Sequence, residues 1–129
     1  MEIGIIGKLE IIVTEEKTAK AMGSGELNVF ATPAMIALME NTAYTSVAAQ
    51  LEPGQGTVGT LMNVKHVAAT PVGMKVVCET KLIEIDRRRL VFAVTASDEA
   101  GLIGEGVHER FIVDNAKFQS RADAKLEAR

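Results

Sequence analysis

Thr32, Glu40 and His66 are polar groups that stand out from the sequence around them and are of types that can do chemistry. A carboxylate can act as a base or a nucleophile. An imidazole can move protons near neutral pH. A hydroxyl can attack, or stabilise a developing oxyanion. Each residue also has an ordinary structural explanation. Glu40 lies in an apolar run, with Ile36, Ala43, Tyr44 and Val47 on its helical face. Burying an ionised carboxylate there is costly unless it is paired or partly solvated. It is therefore either a reactive group held in a cleft, or a charge that points past the core or into an ion pair. His66 shares a strand face with Met62 and Val64, where a lone imidazole also serves as a satisfied structural group. Thr32 precedes Pro33 and is expected to cap a helix, with its hydroxyl at the positive end of the helix dipole.

Two further groups stand out. His108 and Arg110 are two residues apart and so share a strand face with Gly104 and Gly106. The simpler reading is a solvated outer face of a sheet. The run Arg87-Arg88-Arg89 is read as a hydrated hairpin tip, with the alternative that it attracts a nucleotide phosphate.

The elements that must position these groups are legible in outline. A first strand is expected at about Gly7 to Thr14, where Leu9, Ile11 and Val13 alternate with Lys8, Glu10 and Ile12. Thr14 to Lys17 reads as a turn or short helical start, and Met22 to Glu26 as a mobile glycine-rich loop. Thr32-Pro33 opens a helix that should run to about Gln50 and stop before Pro53-Gly54. Its first half, Ala34 to Met39, has no polar face and should be buried all round. Four strands follow, at about Thr57 to Ala68, Met74 to Asp86, Arg89 to Ser97 and Leu102 to Val113. Their short connectors imply a four-strand antiparallel meander. The charged tail from Asn115 either frays or caps the sheet.

One apolar helix against one sheet leaves greasy surface uncovered even if the sheet curves. A two-fold dimer is the common remedy, so a homodimer is expected, with pairing into tetramers left open.

The bulk properties narrow the function. The 129 residues suit a single domain over 1–129, with 47% hydrophobic and 24% charged residues. Net charge is −3 and no basic patch is large enough for nucleic acid binding. Cys78, the one cysteine, cannot form an internal disulfide, and no metal site is expected. No apolar stretch is long enough to span a bilayer and no secretory signal is visible, so a cytoplasmic protein without membrane association is expected.

Several segments together resemble the fluoroacetyl-CoA thioesterase family of hot-dog proteins. They are Val29-Phe30-Ala31-Thr32, Leu38-Met39-Glu40, Leu51-Glu52-Pro53-Gly54, Gly59-Thr60, and His66 followed by Ala68-Ala69-Thr70-Pro71. Gly104 to Arg110 and Lys117-Phe118 extend the resemblance, which spans roughly Val13 to Phe118. It implies an α+β hot-dog fold: one long central helix wrapped by a curved antiparallel sheet of five to six strands. It also implies a homodimer with active sites at the subunit interface, and an acyl-CoA substrate that brings coenzyme A but no separate cofactor. The family's catalytic set falls on Thr32, Glu40 and His66. Gly59 matches a position whose backbone faces the thioester, and Arg110 a substrate-contacting position. The family's lid carries phenylalanines before the Val-Phe-Ala-Thr motif. Here that stretch reads Gly23-Ser24-Gly25-Glu26-Leu27-Asn28, with no aromatic residue. Thioesterase chemistry is therefore expected without the fluoroacetyl specialisation. The competing readings are a non-catalytic hot-dog module that binds acyl-CoA or a small apolar ligand, a dehydratase or hydratase, and a purely structural dimer.

Overall fold

The computed structural model describes residues 1–129. Strand β1 (Ile6–Ile12) leads through a 3-10 turn (Glu15–Lys17) and a one-turn helix α1 (Ala19–Met22) to the long helix α2 (Thr32–Val47). Strands β2 (Gln55–His66), β3 (Lys75–Asp86), β4 (Arg89–Asp98) and β5 (Gly101–Asp114) follow, then helix α3 (Asn115–Ala128). The five strands form one antiparallel sheet in the order β1-β3-β4-β5-β2.

Helix α2 packs against all five strands, which places it inside the curve of the sheet. Register shifts after Gly59, Leu82 and Ala96 mark the irregularities that bend long strands. A contiguous core of 17 buried side chains joins α2 to the inner sheet face, with Met35, Met39, Leu82 and Phe92 among the largest. Gly104 gives the Met35 side chain its room: a Cβ there would stand 2.5 Å from Met35 Sδ and 3.1 Å from the Lys65 carbonyl oxygen, so the end of Met35 would have to move.

Several expectations are corrected. The four-strand meander is a three-strand meander, β3-β4-β5, and β2 pairs with β5 at the sheet edge. The Val67–Met74 connection is not a hairpin. It crosses the end of the sheet, and Pro71 bridges Val29 on the way. Three strand spacings are only about 14 Å, which eight extended residues can reach. Helix α2 ends at Val47, and Ala48–Gln50 tighten into a 3-10 turn. It is not buried all round. Ala34, Met35, Leu38, Met39, Ala43 and Val47 face the sheet, while Pro33, Ala37, Asn41 and Tyr44 are exposed. The tail is helical, opened by Asp114, whose side chain accepts the Lys117 amide at 3.1 Å.

The glycine-rich segment after α1 is tied into the fold. Gly23 takes the left-handed conformation at the end of α1. The Ser24 amide bonds the Ala19 carbonyl, and the Lys20 amide bonds that of Leu27.

Candidate active site

Thr32 does not cap α2. Ala31 is the N-cap, and Thr32 is the first helical residue, with Pro33 second. Its hydroxyl is thus not spent on the helix amides. It lies 2.8 Å from Nδ1 of His66, the last residue of β2. The two line a cleft of about 290 Å³ with Ala19, Ser24, Phe30 and Ala68. Burial is the main influence on the imidazole and lowers its pKa below the ordinary 6.5, with a backbone contact at Ala68 acting the other way. The neutral ring is therefore the major form at neutral pH. Its second nitrogen, Nε2, is buried and has no hydrogen-bond partner within the chain. A buried ring nitrogen left without a partner is uncommon and calls for one.

Glu40 occupies a different cavity, of about 260 Å³, lined by Ile36, Gly59, Leu61, Met62 and His108. It is two helical turns beyond Thr32, about 12 Å along the axis. Its side chain is 44% exposed, and Oε2 lies 3.7 Å from the Arg110 guanidinium. The solvated-outer-face reading of His108 and Arg110 is overturned. His108 is 1% exposed, and Arg110 is buried. Both are on the inner face, because β5 lies between β4 and β2 and turns this side toward α2. Arg110 donates through Nε to Thr57 Oγ1 at 2.7 Å and through its second terminal nitrogen to the Thr57 carbonyl at 2.8 Å. His108 completes the frame. Nδ1 lies 2.8 Å from the Leu61 carbonyl, which can only accept, so Nδ1 carries the proton. Nε2 then accepts from Arg110 at 3.2 Å. Burial is again the main cause that holds this imidazole below its ordinary pKa. Burial also disfavours the Arg110 cation, while Glu40 and Tyr44 favour it; the guanidinium carbon lies 5.7 Å from the Tyr44 ring centre.

Gly59 sits directly over Glu40. A Cβ at this position would stand 2.8 Å from Glu40 Oε2 and 3.3 Å from Arg110, so glycine leaves the carboxylate room. Within one chain, then, the fold joins Thr32 to His66 and, separately, joins Glu40 to Gly59, Arg110 and His108. The part of His108 in this second group was missed by the sequence reading. The available signal was its spacing from Arg110, which was assigned to the wrong face.

The family model described as fluoroacetyl-CoA-specific thioesterase matches residues 13–116. The chain belongs to the fluoroacetyl-CoA-specific thioesterase family. It is 41% identical to the fluoroacetyl-CoA thioesterase of Streptantibioticus cattleyicolor over 100 residues, covering 78% of this chain and 72% of that protein. A solved structure of the fluoroacetyl-CoA thioesterase FlK superposes with a TM-score of 0.92 at 36% identity, over 97% of each chain. A thioesterase-superfamily protein of Thermus thermophilus superposes with a TM-score of 0.89 at 28% identity, over 99% of this chain and 97% of that one. As a member of the fluoroacetyl-CoA-specific thioesterase family, the protein has the hot-dog fold and is an acyl-CoA thioesterase, a hydrolase of thioesters. No helix is long and apolar enough to cross a membrane.

Proposed function

We propose that the protein hydrolyses small acyl-CoA thioesters in a site shared by two subunits, Thr32 and His66 coming from one and Glu40 from the other. The observation that carries this reading is the 2.8 Å contact of Thr32 with His66 in an open cleft. Nε2 is buried within the single chain, so a turn of the ring is needed to open it. A carboxylate reaching it then would fix the tautomer in which Nδ1 accepts the Thr32 proton, the arrangement of a hydroxyl–imidazole–carboxylate relay.

The free edge of the sheet supports the shared site. β2 is an edge strand, Leu61 is 44% exposed, and Tyr44 of the open α2 face is 46% exposed. An open apolar edge invites pairing. In a two-fold dimer a second β2 would run antiparallel to the first. With the axis near the strand middle, the His66 end of one strand lies beside the Gln55 end of the other. Within a chain, Gly59 and His66 are seven residues apart, about 23 Å of strand. Across such an axis, the Gly59 that covers the partner's Glu40 falls opposite Met62, about 13 Å from His66. Pairing thus brings the second carboxylate closer than the chain's own.

In this mechanism the thioester carbonyl lies beside Thr32 at the start of α2, where the helix dipole favours negative charge. His66 takes the proton from the attacking Thr32 oxygen and returns it to the departing CoA sulfur. It then deprotonates a water that cleaves the acyl-Thr32 ester, releasing the acid and restoring the hydroxyl. The backbone at Gly59 lies against the thioester. Arg110, held by Thr57 and His108, fixes Glu40 from behind and adds positive charge on the substrate side. If His66 is the base, kcat/KM for acetyl-CoA should be flat above neutrality. It should fall as pH drops through the His66 pKa, which burial lowers within one chain and a carboxylate at Nε2 raises in the shared site. Glu40→Gln should therefore move the acid limb to lower pH, and a limb that stays in place in that variant would assign the base to another group.

The loop over the cleft supports a general acyl preference. Gly23 to Asn28 brings Ser24 to the cleft and no aromatic ring. A difference of one small substituent in an apolar pocket is worth roughly 10–200-fold. Thiol release from fluoroacetyl-CoA and acetyl-CoA is therefore expected to differ in kcat/KM by no more than that. A preference of about ten-thousandfold or more for the fluorinated substrate would contradict this reading. Tight acyl-CoA binding without turnover would favour the binding-module alternative.

A further inference from the structure

A second groove, of about 470 Å³, lies at the far end of the sheet between the β3–β4 hairpin, the end of β5 and α3. Arg88, Lys117 and Arg121 line it beside Phe111 and Phe118, which are 42% and 47% exposed. The three cations are exposed, and none forms an ion pair. Their neighbours behave differently. Arg87 lies 3.7 Å from Asp86, and Arg89 is held by Glu84 at 2.6 Å and Glu109 at 2.7 Å. The one carboxylate in the groove, Asp114, is engaged by the Lys117 amide. Three of the nine lining residues, Lys117, Phe118 and Arg121, lie beyond the segment that the family model matches.

We propose that this groove binds the 3′-phosphoadenosine diphosphate end of the CoA substrate. Unpaired arginines suit phosphate oxygens, and exposed aromatic faces suit a purine ring. The volume lies within the range of small-molecule sites. The placement also agrees with the shared site. Gln55, which begins β2, lines the groove, and the proposed pairing sets that end of β2 beside the His66 end of the other strand. The nucleotide then rests at the surface while the thioester reaches the interface. This inference rests on the acyl-CoA reading.

The test compares acetyl-CoA with acetyl-pantetheine, which lacks the nucleotide, in wild type, Arg88→Ala and Arg121→Ala. Each substitution is expected to raise KM for acetyl-CoA about tenfold, with kcat within about twofold and KM for acetyl-pantetheine unmoved. Equal changes for both substrates, or none for either, would overturn the proposal while leaving the thioesterase activity in place. Calorimetry with adenosine 3′,5′-bisphosphate reads the groove without turnover. Binding to wild type that weakens in both variants and with added salt supports the proposal. Inorganic phosphate that binds as tightly as the bisphosphate would overturn it.

Discussion

His66→Ala and Glu40→Gln should each lower kcat/KM for acetyl-CoA by about 100- to 10,000-fold, the range for a positioned proton-transfer group. His66→Ala removes the group 2.8 Å from the Thr32 hydroxyl and leaves no other imidazole in that cleft. Glu40→Gln keeps shape and volume but removes the charge that faces Arg110. The two variants should lose kcat more than KM, because the missing interactions develop as the proton moves. Thiol release under saturating substrate separates these terms. Undiminished activity in both variants would remove the mechanism. Neither substitution should unfold the protein. Glu40 is half exposed, and His66 sits at a strand end rather than in the central core.

The residues that carry chemistry were more legible than their mutual arrangement. Thr32, Glu40 and His66 could be picked out because each breaks the pattern around it. That two of them meet and the third lies in another cavity depends on strand order, and the order was misread. The connector Thr70-Pro71-Val72-Gly73 has the composition of a tight turn, so β2 and β3 were expected to pair. Turn composition reports a chain reversal but not which strand lies alongside. The face of His108 was lost for a related reason. Gly104 and Gly106 beside it look like an open surface in the sequence. In the fold, the space at Gly104 is filled by Met35, a contact between residues nearly 70 positions apart. Helix α2 was the easiest element to read, since Thr32-Pro33 and Pro53-Gly54 punctuate it at both ends. Even there, the fully apolar stretch conceals an open face. Ala37 is exposed while Leu38 beside it is buried, and hydrophobicity alone does not separate them. Under the proposed function, that open face is where a second subunit would meet the site.

Mixing the two inactive variants gives the second large effect and the most direct test. In a shared site, the His66 of a Glu40→Gln chain meets the Glu40 of a His66→Ala chain. Each mixed dimer then has one intact site and one doubly defective site. Random exchange of subunits makes half of the dimers mixed, so an equimolar mixture should recover about a quarter of wild-type activity. Recovery should grow as exchange proceeds and stop when the subunits are cross-linked beforehand. Activity that stays at the level of the two parents after full exchange would show that Thr32, His66 and Glu40 do not come together across the dimer.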